Sequence, residues 1–184
     1  VTEINRVGVV GAGIMGAGIA EVCARAGCDV LVVERDRDAV RHGRELVVRS
    51  LDRAVRSGKL TAAEREQAAW RLRFDTDLDE LADRELVVEA VTEDESLKVE
   101  VIGLVDQVLT DPSAIIASNT SSIPIMKLGS ATNRPGHVLG LHFFNPVPVL
   151  PLVEVVSSLT TNPRARDRAE GFVTRVLGKQ TIRS

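Results

Sequence analysis

Cysteine is nearly missing: Cys23 and Cys28 are the only two in 184 residues. With four residues between them they form no C-x-x-C pair, and they read as reduced, buried, structural thiols, which suits a cytoplasmic protein. An excess of positive charge is missing too. Lys and Arg number 23 against 26 Asp and Glu, for a net charge of −3. No basic field is there to hold a nucleic-acid backbone, so nucleic acid is not an expected partner. No apolar run reaches the length a membrane span needs, so no membrane partner is expected either. The N-terminal VTEINRVGVVGAG lacks the basic segment, apolar stretch and cleavage site of a secretory signal. Repeats, low-complexity tracts and an interdomain linker are absent, and no metal site is expected.

What the chain does have is a 44% apolar composition with recurring Val/Leu/Ile runs, enough for a real core in one compact domain. Apolar runs alternate with helical stretches, the pattern of a mostly parallel sheet. The spacing predicts strands at Val7–Val10, Val30–Val33, Arg71–Phe74, Leu86–Val91, Ile115–Ala117, Val138–Leu141 and Leu152–Val156. Helices are expected at Ile14–Ala26, from Asp36 to about Arg56, and from a Thr61–Glu64 capping box to about Ala69. The last two make a helical hairpin after the second strand, where a plain βαβ unit carries one helix. Leu97–Leu109 is expected to be amphipathic, with Leu97, Val101, Leu104, Val105 and Val108 on the buried face. Pro163–Leu177 reads as a helix ended by Gly178, and Lys179–Ser184 as a strand cut short. The abrupt end at Ser184 suggests a piece of a longer protein. The fold class is α/β: a Rossmann-like, doubly wound, mostly parallel sheet with the helical hairpin inserted.

The stretch VGVVGAGIMGAGIA places Gly11, Gly13 and Gly16 in G-x-G-x-x-G spacing between an apolar strand and an apolar helix. That context makes it a dinucleotide-binding loop. Gly11 permits the tight turn, Gly13 the approach of a diphosphate, and Gly16 close helix–strand packing. Ala12, Ile14 and Met15 bring no charge, so backbone N–H groups at the helix N-terminus would hold the phosphate. Without Gly-Lys-Ser/Thr this is no nucleoside-triphosphate loop. Glu34 ends the second strand eighteen residues after Gly16, where a carboxylate accepts from ribose hydroxyls and repels a 2′-phosphate. This favours NAD over NADP, although the neighbouring Arg35 is of the type that holds such a phosphate.

The stretch HFFNPVPVLPLVEVV opens with His142 and carries Glu154 twelve residues on, with Pro146, Pro148 and Pro151 between them. The prolines rule out a continuous helix. Either the two residues are an oriented acid–base pair or they are a core histidine and an unrelated surface glutamate. His42 reads as solvated on the long helix and His137 as a strand-start residue. Asn119 and Ser121 suit helix capping; Glu93-Asp94-Glu95 suits the start of a helix; Lys98 suits a solvated helix face.

The glycine loop, ELVVEAVTEDESLK, ASNTSSIPI and GLHFFNPVPVLPLVEVV occur in this order. Together they closely resemble the NAD-binding domain of the L-3-hydroxyacyl-CoA dehydrogenases, most of all the bacterial 3-hydroxybutyryl-CoA group. The resemblance covers essentially the whole chain. It implies reversible oxidation of an L-3-hydroxyacyl-CoA to the 3-ketoacyl-CoA with NAD. It further implies His142 as catalytic acid/base, Glu154 as its orienting carboxylate, and Ser121 as hydrogen-bond donor to the substrate oxygen. Glu93, Lys98, Asn119 and Asn145 are implied to line the nicotinamide side, and Ser50 and Lys59 on the helical hairpin to contact CoA. Glu34 stands where the family has aspartate. The family carries a second, all-helical domain with much of the acyl pocket and the homodimer interface, absent from this chain. Other readings are a dehydrogenase of a free hydroxy or sugar acid, without CoA, and a non-catalytic NAD-binding module.

Overall fold

The computed structural model describes residues 3–184; Val1 and Thr2 lie outside the described residues. Its centre is an eight-stranded sheet in the order β3-β2-β1-β4-β5-β6-β7-β8. Strands β1 (Arg6–Val10), β2 (Asp29–Val33) and β3 (Leu72–Asp75) run outward in one direction from the middle. Strands β4 (Leu86–Glu89), β5 (Ile115–Ser118) and β6 (Val138–Phe143) run outward in the other. These six are mutually parallel. The order reverses between β1 and β4, which opens a crevice at the C-terminal strand ends. β7 (Leu152–Val156) is antiparallel to β6, and β8 (Gln180–Arg183) is parallel to β7.

Both sheet faces are covered, so the inner strands carry apolar residues toward both faces rather than at alternate positions. Val30, Val32, Leu86, Val88, Ile115 and Ala117 point into one core. Leu31, Val33, Val87 and Ile116 point into the other. Helix α1 (Ile14–Arg25) packs on the first face, and α2 (Arg37–Arg56) and α3 (Ala62–Trp70) pack on α1 as the expected hairpin. Thr61 and Glu64 form the full capping box at the start of α3, and Arg65 reaches back to Asp52 at 3.0 Å. Cys23 and Cys28 are free and buried, and burial pushes the Cys28 thiol up to about 11.

Three expectations need correction. In α4 (Glu95–Val108) the buried residues are Lys98, Ile102, Val105 and Asp106, whereas Leu97 and Leu104 are exposed. The expected stripe is therefore rotated: Leu97 and Val101 wall the dinucleotide crevice. A lysine takes an inward place because carboxylates wait for it there. The second correction concerns the helix at Pro163. The α-helix α6 (Pro163–Gly171) gives way to a single π turn at Phe172–Val176. Thr174 Oγ1 donates to the Glu170 carbonyl at 2.8 Å, the kind of side-chain bond that competes with the helical ladder. The third concerns Asn119 and Ser121, which cap no helix. The short helix α5 (Ile125–Gly129) begins only behind Pro124.

Candidate active site

The glycine loop leaves β1 and enters α1. Gly11 has φ +93° and its N–H donates to the Val33 carbonyl at 2.9 Å. A Cβ on Gly16 would lie 1.8 Å from the Gly11 carbonyl oxygen, so the loop closes only with hydrogen there. A Cβ on Gly13 would meet nothing within 4 Å. Gly13 thus keeps space open rather than filling it, which fits a diphosphate approaching the backbone. Helix α1 starts with no side-chain cap and no acidic residue in its first turn, which leaves its positive end free for an anion. Ile14 is exposed and Met15 half-buried beside it.

From Gly11, Ala12 and Gly13 a cleft of about 710 Å³ extends past the ends of β2 and β4. Glu34 lines it. Its Oε1 accepts from the Ala12 N–H at 2.6 Å and its Oε2 from the Arg35 N–H at 3.0 Å, so the carboxylate is fixed against the glycine loop. The Arg35 guanidinium turns outward to Asp36 at 3.1 Å. His42, exposed on α2, also lines the cleft. Sequence alone leaves it to solvent, since nothing local marks which face of a solvated helix borders a crevice.

On the other side of the switch point the loop after β5 carries Asn119–Ser122. Glu93 gathers it: its Oε1 accepts from Thr120 Oγ1 at 2.5 Å, Ser121 N at 3.1 Å, Ser122 Oγ at 3.2 Å and Ser121 Oγ at 3.4 Å. Burial works to raise the Glu93 carboxyl. The bonds from Thr120 and Ser121, the Lys98 charge and the Ser122 bond outweigh it and hold the group below the usual carboxylate range. Asn119 Oδ1 accepts from the Phe143 N–H at 2.8 Å, which ties this loop to the end of β6. Lys98 is buried, with its Nζ 2.6 Å from Glu89 Oε1. It reaches the loop through Glu93 and is not itself open to the cleft.

His142 and Glu154 face one another across the β6–β7 ladder. Nδ1 of the imidazole and Oε2 of the carboxylate are 2.6 Å apart. The proline segment brings the chain back so that the register closes on this pair. Lys179 Nζ pins the segment by donating to the Val147 and Leu150 carbonyls at 2.8 and 2.6 Å; sequence reading gives no sign of this, because the lysine comes from the far side of α6. His142 and Glu154 both keep partial exposure, at 21% and 35% of the side chain, and the contact with Glu154 is made through Nδ1 of the ring. The structure also joins Asn145 to Ser50: both line a groove of about 140 Å³ between α1, α2 and the proline segment. Lys59 sits apart from it, exposed in the α2–α3 turn.

The family described as "3-hydroxyacyl-CoA dehydrogenase, NAD binding domain" matches residues 6–184. A 3-hydroxybutyryl-CoA dehydrogenase of Mycobacterium tuberculosis H37Rv is 58% identical over 180 residues, which are 98% of this chain and 63% of that protein. The crystal structure of M. tuberculosis FadB2 superposes with a TM-score of 0.98 at 57% identity, covering 100% of this chain and 64% of that one. That of (S)-3-hydroxybutyryl-CoA dehydrogenase PaaH1 from Ralstonia eutropha gives 0.94 at 42% identity, covering 98% and 63%. The chain thus spans a little under two thirds of the length of these relatives. It belongs to the 3-hydroxyacyl-CoA dehydrogenase family, of which it is the NAD-binding domain.

Proposed function

We propose that the protein containing this domain interconverts an L-3-hydroxyacyl-CoA and the 3-ketoacyl-CoA, with a short acyl chain such as 3-hydroxybutyryl. The observation that carries this is the His142–Glu154 contact of 2.6 Å at the end of β6, in a sheet whose central crevice fits a dinucleotide. Gly11, Gly13, Ile14, Met15 and Gly16 would hold the NAD diphosphate at the start of α1, and Glu34 the adenine ribose. Asn119, Asn145 and Glu93, with Lys98 behind it, would border the nicotinamide. NAD supplies a hydride acceptor in one direction and a donor in the other.

In the oxidation direction His142 takes the proton of the 3-hydroxyl through Nε2. Glu154 on Nδ1 fixes the ring's tautomer and stabilises the imidazolium that results. In reduction His142 returns the proton, and Ser121 donates a hydrogen bond to the oxygen as charge develops on it. Ser50, in the groove that reaches Asn145, and Lys59 at the hairpin turn would contact the CoA part. The family's second domain would complete the acyl pocket and form the homodimer. We assign the protein to the cytoplasm, the compartment that its two free, buried thiols suit. Among the described residues no helix is long and apolar enough to cross a membrane.

The test is NADH oxidation by the full-length protein with acetoacetyl-CoA, run against free acetoacetate and against NADPH. Turnover that requires the thioester and prefers NADH is expected. Equal use of acetoacetate would favour a free hydroxy-acid dehydrogenase instead. Bound NADH without turnover of either substrate would favour a non-catalytic module.

A further inference from the structure

Glu89 closes β4 and is completely buried. A buried carboxylate survives only if nearly every lone pair is used, and here the partners are specific. Glu89 Oε1 takes Lys98 Nζ at 2.6 Å and the Val91 N–H at 2.8 Å; Oε2 takes Ser118 Oγ at 2.5 Å. Lys98 in turn donates to Glu89 and to the Val91 carbonyl at 3.1 Å, and its ammonium pairs by charge with Glu93 Oε2 at 3.4 Å. Glu93 divides its oxygens: Oε2 faces Lys98, while Oε1 gathers Thr120, Ser121 and Ser122. A second arm is shorter. Ser118 Oγ, already donating to Glu89, accepts from the Thr120 N–H at 3.2 Å. The Asn119 N–H also binds the Glu89 carbonyl at 2.9 Å.

We propose that Glu89 is a positioning residue for the reaction: through Lys98–Glu93 and through Ser118 it sets the loop that aims Ser121. This deepens the reading above and rests on Ser121 as the donor to the substrate oxygen. Glu89 touches neither crevice nor substrate. Its effect arises because both arms converge on Thr120, the residue before Ser121, so losing the carboxylate frees the loop from two sides. It also leaves the Lys98 ammonium to draw Glu93 Oε2 inward, away from the serines. A misplacement of about 1 Å in a group meeting the reacting oxygen is enough to cost turnover heavily.

The experiment is a double-mutant cycle in the full-length protein with acetoacetyl-CoA and NADH. Glu89→Gln should lower kcat about tenfold or more, with the KM for NADH changed less than about twofold. On a Ser121→Ala background the same change should cost less than about twofold, because there is no serine left to aim. An unpaired buried Lys98 threatens folding in the single variant. The charge-neutral Glu89→Gln/Lys98→Met pair therefore runs in parallel, with and without Ser121→Ala, and should show the same dependence on Ser121. Equal losses on both backgrounds, or wild-type kcat for Glu89→Gln, overturn the positioning role while leaving the dehydrogenase reading intact. Wild-type protein that does not turn over acetoacetyl-CoA overturns both.

Discussion

His142 Nδ1 and Glu154 Oε2 lie 2.6 Å apart because their residues are direct partners in the antiparallel β6–β7 register. Their separation of twelve residues is therefore a consequence of one strand, a proline-stiffened return and a second strand. Glu154→Gln keeps the shape and removes the charge that steadies a protonated ring. Steady-state kinetics should show kcat lower by about 10²-fold to 10⁴-fold, with NADH affinity nearly unchanged. An unimpaired variant would make Glu154 structural only.

The glycine loop offers two substitutions of one methyl group with opposite consequences. Gly16→Ala forces a Cβ onto the Gly11 carbonyl oxygen, backbone against backbone, and should lower Tm, with a cost on the order of 1–3 kcal/mol. Gly13→Ala meets open space and should leave Tm unchanged. NADH titration should nonetheless show its dissociation constant raised about tenfold or more, since the methyl group enters the path of the diphosphate. Equal NADH affinity in Gly13→Ala would place the diphosphate elsewhere.

Cofactor choice is read from Glu34 and its neighbour. Glu34 is fixed on the cleft wall by Ala12, while Arg35 is turned to Asp36. Glu34→Gln should lower the preference for NADH over NADPH by about tenfold, mainly by removing repulsion of the 2′-phosphate. Arg35→Ala should leave the NADH preference standing. A strong loss of NADPH use in Arg35→Ala would show that the guanidinium holds that phosphate after all.

Much of this was legible because the signals are local. G-x-G-x-x-G between strand and helix, Glu34 at a strand end and the Thr61–Glu64 box each fall within a few residues, and the apolar runs mark the inner strands. His142 and Glu154 were legible as a pair only through the family resemblance, because the proline segment by itself does not say whether the return strand brings the two into register. The network behind Ser121 was not. Lys98 reads as a surface lysine until Glu89, nine residues away, and the loop after β5 close around it, and that closure follows from sheet order. The rotated face of α4 has the same origin, since Leu97 and Val101 border a crevice that the helix sequence does not announce. Lys179 meets Val147 and Leu150 across 32 and 29 residues, a distance no motif spans.

The Glu93 cluster gives a pH dependence with a definite sign. Its carboxyl is held below the ordinary value of 4.5. Its stabilising contribution is therefore complete above that value and disappears as pH falls through the lower, folded-state value. Thermal melts of wild type and Glu93→Gln from neutral to acid pH should differ most at neutral pH and converge in acid. A constant gap would mean that the charge on Glu93 contributes nothing to the fold.

The proposed chemistry stands on His142 as the group that moves the proton. Full-length wild type and His142→Ala should be compared in acetoacetyl-CoA-dependent NADH oxidation, with NADH binding titrated on the same samples. Turnover in the variant is expected to be lower by about 10²-fold to 10⁴-fold, with NADH bound at almost the same affinity. Near-normal turnover in His142→Ala would contradict that role.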